Sequence, residues 1–146
     1  MIEIREMQFD DLDGVMEIEN VNFSKPWTET GFFTFLIRDD TLFLVAAEDD
    51  EILGYCGIVM AQDEGDITNV SVVKKLQNKG IGQRLIRELL ERTKSRGVQK
   101  VFLEVRVSNQ QAIHVYEKMG FEQISIRKNY YEAPVEDGLV MVHIAK

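Results

Sequence analysis

Apolar side chains in this chain recur at every second residue in some stretches and at every third or fourth in others, and each change of period marks a change of element. Residues 2–7 alternate as a first strand. Asp10 or Asp11 is placed to cap a helix with the apolar stripe Leu12, Val15, Met16 and Ile18, which Ser24-Lys25-Pro26 ends. A second helix is expected from near Trp27, turning Phe32, Phe33, Leu36 and Ile37 towards the core. Residues 42–48 and 52–61 read as an antiparallel hairpin joined by Asp49-Asp50-Glu51, and 67–73 as a further strand. Residues 80–96 set Ile81, Leu85, Leu89 and Leu90 against Arg84, Arg87, Glu88, Glu91 and Lys94, and Gly97 is suited to end that helix.

The strand at 101–107 has Val101, Leu103, Val105 and Val107 on one face and Phe102, Glu104 and Arg106 on the other. Ser108 with Gln111 forms a possible capping box for a helix bearing Ala112, Ile113, Tyr116 and Met119, closed by Gly120. Residues 121–127 and 139–144 complete the sheet. Without repeat, low-complexity tract or linker, the mixed order predicts one α/β (α+β) three-layer domain over 1–146.

Between a strand and a helix the chain reads Gln77-Asn78-Lys79-Gly80-Ile81-Gly82-Gln83. Two glycines at a helix start let backbone N–H groups approach an anion, and the helix dipole adds about half a positive charge there. A structural turn also explains Gly-x-Gly, and neither the P-loop nor the Rossmann pattern is present. Lys74, Lys75, Lys79, Arg84 and Arg87 cluster around the turn, which suits a phosphate-rich cofactor.

With 17 basic and 25 acidic residues the formal net charge is −8, which argues against nucleic acid as the main partner and leaves a basic substrate or simple solubility as its meaning. No apolar run approaches the ~18 residues of a membrane span, and no signal peptide opens the chain, so a cytoplasmic protein with no membrane partner is expected. The single cysteine, Cys56, reads as a buried inert thiol. His114 and His143 lack ligand spacing, so no metal is expected.

The pattern of Gln77, Gly80 and Gly82 resembles the coenzyme A pyrophosphate loop of the GCN5-related N-acetyltransferases, Gln/Arg-x-x-Gly-x-Gly/Ala. A second block, Asn109-x-x-Ala112-x-x-x-Tyr116-x-x-x-Gly120-Phe121, is similar to a later motif of the same family. Phe23-Ser24-Lys25-Pro26-Trp27, Leu103-Glu104-Val105-Arg106 and Arg127-Lys128-Asn129-Tyr130-Tyr131 resemble the subgroup that acetylates a ribosomal protein's N-terminal alanine. The resemblance covers essentially the whole chain.

It implies the acyl-CoA N-acyltransferase fold, with a mixed, splayed seven-stranded sheet, and acetyl-CoA as co-substrate. Val70, Ser71 and Val72 would pair through their main chain with the pantetheine arm, Gln77, Asn78, Lys79, Gly80, Ile81, Gly82 and Gln83 would hold the pyrophosphate, and Asn109 would touch the pantetheine or simply cap its helix. Glu104 is the implied general base, or else a structural partner of Arg106; Tyr116 is the implied general acid, or else core. Phe23, Pro26 and Trp27, with Asn129, Tyr130 and Tyr131 in a loop after the sixth strand, would form the acceptor groove or pin those loops to the domain.

The leading expectation is transfer of acetyl to the α-amine of a protein, a ribosomal protein with a basic N-terminus. A peptide α-amine titrates near pH 8 against about 10.4 for lysine, so a carboxylate can supply its neutral form near neutrality. Acceptance by a small amine, polyamine or lysine side chain is a second reading. A non-catalytic acetyl-CoA-binding module is a third, against which the presence of both Glu104 and Tyr116 argues.

Overall fold

In the computed structural model, which describes residues 1–132 and 134–145, the strands are β1 (Glu3–Glu6), β2 (Thr41–Glu48), β3 (Glu51–Ala61), β4 (Glu64–Val72), β5 (Lys100–Arg106), β6 (Glu122–Glu132) and β7 (Val135–Ile144). The helices are α1 (Leu12–Asn22), α2 (Glu29–Leu36), α3 (Ile81–Lys94) and α4 (Gln110–Lys118). One sheet runs in the order β1-β2-β3-β4-β5-β7-β6, with every neighbour pair antiparallel except β4 and β5.

The alternation of β2 explains the three layers. Leu42, Leu44 and Ala46 join Leu85, Ile86 and Leu89 of α3 in one buried cluster, whereas Phe43 and Val45 join Leu12, Val15, Ile18 and Phe32 of α1 and α2 in another. A period of two sends alternate side chains to opposite faces, so a strand apolar at every position needs cover on both. Full burial of one such aliphatic side chain contributes about 1.5–3 kcal/mol.

Most expected elements are present, and the differences have local causes. Asp11 does not cap α1 through its side chain; its carboxylate takes two bonds from Arg5, at 2.8 and 3.0 Å, and the Gln8 N–H at 2.7 Å, fixing the turn before the helix. In α2, capped by Thr28 Oγ1 on the Gly31 N–H at 3.0 Å, Phe33 and Ile37 are 45% and 63% exposed rather than core. Phe32 is buried there and Phe35 stacks on Trp27 with ring centroids 5.0 Å apart. Five apolar residues within six positions left the inner face of that helix undetermined by periodicity. The cap of α4 is Asn109, whose side chain accepts the Ala112 N–H at 3.2 Å, and not Ser108. Ser108 instead donates its backbone N–H to Glu136 at 2.6 Å.

Candidate active site

The parallel pair β4 and β5 is joined only at its beginning. Glu64, Gly65 and Asp66 are paired with Lys100, Val101 and Phe102, and the register goes no further. From Ile67 to Val72, β4 keeps β3 on one side and, among the described residues, has no strand on the other. In an antiparallel pair alternate residues turn their N–H and C=O away from the partner, so this stretch of β4 turns main-chain groups into the gap, of which Val72 O already accepts from the Gln77 and Asn22 side chains. A register shift opposite Gly57 and Ile58, which inserts Thr68, bends β4 where the divergence starts.

A cavity of about 490 Å³ follows the free side of β4. Its wall includes Val70, Ser71, Val72, Gln77, Asn78, Gly80, Ile81, Gly82, Gln83, Asn109 and Tyr116. The first intrahelical bond of α3 runs from Arg84 N to Gly80 O at 3.1 Å, so the N–H groups of Ile81, Gly82 and Gln83 have no partner within the helix. Gly80 adopts φ 89°, a left-handed conformation that opens the helix without a Cβ. A Cβ on Gly82 would meet only Val72 Cγ2, at 3.9 Å, leaving the cradle open in front of it. These donors fit a pyrophosphate.

None of Lys74, Lys75, Lys79, Arg84 or Arg87 is part of that wall. Lys74 and Lys75 line a neighbouring groove with Asp13, Glu17, Asp49 and Asp50, and Arg84 donates to Ile2 O at 3.1 Å. What the cavity offers an anion is therefore main-chain N–H groups and the helix dipole rather than the lysines. Two expected cofactor contacts already have structural duties: Gln77 Nε2 donates to Val72 O at 3.1 Å, and Asn78 Oδ1 accepts from Gln111 Nε2 at 2.6 Å. Tyr116 is a wall residue whose ring lies 5.8 Å from Phe121. Burial, with the nearby Cys56 second, raises its phenol above the usual value, so it stays protonated at neutral pH.

A second cleft, of about 640 Å³, is lined by Trp27, Asp66, Ile67, Thr68, Phe102, Leu103, Glu104, Arg127, Tyr130, Tyr131 and Val140. Glu104 is paired with Arg127, its Oε1 accepting at 2.7 Å, and not with Arg106. The Oε2 atom of Glu104 is buried and has no hydrogen-bond partner among the described residues. Arg106 donates to Pro134 O and Glu136 and lies over the Tyr131 ring at 4.5 Å, while Arg127 lies over Tyr130 at 4.6 Å. The two clefts share β4 as a wall, one carrying Tyr116 and the other Glu104.

Residues 12–121 match the family model described as the acetyltransferase (GNAT) family. This chain belongs to that family. Among its relatives, a protein of Bacillus subtilis (strain 168), provisionally named a ribosomal protein bS18-alanine N-acetyltransferase, is 37% identical over 94% of this chain and 92% of its own length. The ribosomal protein bS18-alanine N-acetyltransferase of Salmonella typhimurium (strain LT2) is 34% identical over 90% of this chain and 89% of its own. A crystal structure of the ribosomal-protein-S18-alanine N-acetyltransferase from Escherichia coli superposes with a TM-score of 0.90, covering 99% of this chain and 94% of that one at 29% identity.

In this acetyltransferase the acceptor residues expected from sequence are divided. Trp27, Tyr130 and Tyr131 stand together in the Glu104 cleft, whereas Phe23 lines the Tyr116 cavity. Pro26, which is exposed, and Asn129 belong to neither wall. Asn129 to Tyr131 lie within β6 rather than in a loop after it; a bulge between Arg127 and Tyr131, with Asn129 at φ 53° and its N–H on Asp137 at 2.9 Å, gives the strand a loop-like sequence. That irregularity lets consecutive tyrosines share one cleft.

Sequence reasoning missed Asn22, Gln111, Asp66, Thr68 and the pairing role of Arg127. Arg127 opens the 127–131 segment that resembles the subgroup, but its pairing with Glu104 across strands leaves no local signal. Cys56 is fully buried, and that burial pushes its thiol well above the usual range. Among the described residues no group of three or more His, Cys, Asp or Glu is placed to hold a metal ion, and no helix is long and apolar enough to cross a membrane.

Proposed function

We propose that this enzyme transfers acetyl from acetyl-CoA to the N-terminal α-amine of a protein, with the N-terminal alanine of ribosomal protein bS18, the acceptor named for its relatives, as the substrate. The observation that carries the reading is the partnerless Glu104 Oε2 on one side of the β4–β5 gap and the protonated Tyr116 phenol on the other. Residues 1–146 act as one catalytic unit, and a cytoplasmic reaction follows from that acceptor.

Acetyl-CoA supplies the activated acetyl group as a thioester. Glu104 Oε2 accepts a proton from the incoming ammonium or amine, directly or through one water, while Arg127 on Oε1 holds the carboxylate in place. A free N–H of β4 at residues 70–72 stabilises negative charge on the reacting carbonyl oxygen. Tyr116 returns a proton to the departing thiolate. The N–H groups of Ile81, Gly82 and Gln83 bind pyrophosphate, with Gln77, Asn78, Lys79 and Gly80 shaping that loop and Asn109 capping α4 beside the pantetheine arm. Trp27, Tyr130 and Tyr131 border the acceptor's first residues, with Phe23, Pro26 and Asn129 supporting the surrounding chain. The net charge of −8 favours a basic peptide.

The test compares kcat/KM for an Ala-initiated basic peptide, the same peptide with a blocked N-terminus and an internal lysine, and spermidine. The free N-terminal peptide is expected to lead by at least about tenfold, the ratio of a modest difference in transition-state binding. Preference for the blocked peptide or for spermidine would reject the acceptor while leaving the fold intact.

A further inference from the structure

Buried side-chain atoms without a hydrogen-bond partner among the described residues include Asn69 Nδ2 as well as Glu104 Oε2. One is a donor on β4 and the other an acceptor on β5. Alternation along the strands puts both side chains on one face of the sheet. Asn69 is the register partner of Gly57, and Ser71 of Tyr55; on that face of β3, Tyr55 packs with Phe43, and a Cβ on Gly57 would run into the Phe43 ring. On β5, Val101, Leu103 and Val105 pack into the opposite cluster with α3, which turns Phe102 and Glu104 to the Asn69 side. The register of Asp66 with Phe102, continued past the point where the ladder stops, brings Thr68 and Asn69 level with Glu104.

The Asn69 amide is held at one end. Its Oδ1 accepts the Thr68 hydroxyl at 2.9 Å, and Thr68 lines the Glu104 cleft. The other end is an amide N–H₂, a group that only donates. A buried donor without a partner bears its full desolvation cost, and native proteins leave few of them. An apolar side chain would fill the same space without that cost, so stability alone does not account for an amide here. Because β4 and β5 share no ladder bond beyond Asp66 and Phe102, a ligand atom can lodge between them without breaking main-chain pairing.

An unpaired donor and an unpaired acceptor on opposite sides of one gap complement a ligand that carries an acceptor and a donor close together. A protein N-terminus is such a group: its α-amine supplies N–H, and its first carbonyl, separated from the amine by the Cα alone, supplies the oxygen. A lysine ε-amine or a polyamine has no carbonyl at that place and would leave Asn69 unpaired. A site built to hydrogen-bond a substrate group rejects an analogue that lacks it, because its own buried polar atom is then stranded.

We propose that Asn69 is a specificity-determining residue, its Nδ2 donating to the carbonyl oxygen of the acceptor's first residue while Glu104 Oε2 takes the α-amine, so that the two together select an α-amino acyl group over an amine alone. The inference rests on the reading of Glu104 as the group that receives the acceptor amine.

The test compares kcat/KM for an Ala-initiated basic peptide and for the same peptide with its first amide replaced by a trans-alkene, which keeps the amine and the shape of the chain but lacks the carbonyl oxygen. Both are measured with the wild type, Asn69→Ala and Asn69→Leu, the last keeping the volume of the side chain. The wild type is expected to prefer the amide peptide by at least about tenfold, the effect of one hydrogen bond to a buried group. In either variant that preference is expected to shrink about tenfold, through a higher KM for the amide peptide at unchanged kcat, because the bond is present in the ground state and the transition state alike. The alkene also lacks the second residue's N–H, but that loss is common to all three proteins and cancels. The same preference in the wild type and a folded variant, as a purely structural Asn69 would give, overturns the proposal, and so does the lack of any preference in the wild type. Acetylation of neither peptide by the wild type overturns the acceptor reading and this inference with it.

Discussion

In the proposed mechanism two side chains, Glu104 and Tyr116, carry the most specific chemistry, and each has a conservative substitution that isolates the atom assigned to react. Glu104→Gln keeps an oxygen for Arg127 but removes proton acceptance. Turnover is expected to fall about 10²–10⁴-fold, the usual loss for a general base, with coenzyme A affinity unchanged by calorimetry. The deficit should narrow as pH rises past about 8, where the α-amine deprotonates without help. Wild-type turnover across that range would return Glu104 to a structural partner of Arg127. Tyr116→Phe removes one hydroxyl from a half-buried ring and should leave the melting temperature within a few degrees while slowing the chemical step in single-turnover experiments. Equal single-turnover rates would make Tyr116 a packing residue.

Among the elements, α3 and the turn before α1 put their charges to different uses. The start of α3 offers three N–H groups without an intrahelical partner beside Gly82, and none of the nearby basic side chains lines the cavity. Gly82→Asp places a negative charge into that cradle where space is open, so coenzyme A affinity should drop by more than tenfold, the effect of about 1.4 kcal/mol, in a protein that still folds. Gly82→Ala should bind nearly normally. Unchanged affinity in a folded Gly82→Asp protein would remove the cradle assignment.

At the turn before α1, burial alone would push the Asp11 carboxyl up, but the Arg5 guanidinium and the Gln8 N–H bring it below the ordinary value. A depressed folded pKa means that this contribution is present above the unfolded value, about 3.9, and is lost as pH falls through the folded one. Asp11→Asn is therefore expected to cost about 1.5–3 kcal/mol at pH 7, the range for bonds to a charged group. Urea unfolding at a series of pH values should show the difference from wild type closing below pH ~4. A constant difference down to pH ~2 would mean that Asp11 acts through shape rather than charge.

For the whole molecule, the decisive feature is one interrupted strand pair. A parallel ladder that stops at Asp66 and Phe102 leaves main-chain donors free without leaving them in the core, because the gap is open as a cleft on each side. The layers on both faces then supply different walls. Helices α3 and α4 bring the anion cradle and Tyr116 to one cleft, while Trp27 and the β6 tyrosines line the other with Glu104. On the proposed reading the two substrates enter from separate sides and meet at β4.

The sequence determined whatever depends on neighbours along the chain. Period-two and period-3.6 patterns located the elements, the left-handed Gly80 and Gly97 marked helix ends, and the glycine turn marked the anion cradle. Family motifs offered Glu104 and Tyr116 as candidates, and each lines one of the two clefts. Only the tertiary structure decided what depends on partners distant in sequence. It moved Glu104 from Arg106 to Arg127, turned Phe33 and Ile37 outward, and put Phe23 and Trp27 in different clefts. It also brought Tyr55 onto Glu19, and Asn22 onto Ser71 and Val72. A hydrogen bond between residues of different strands and helices depends on register and packing, and neither periodicity nor a local motif encodes that geometry.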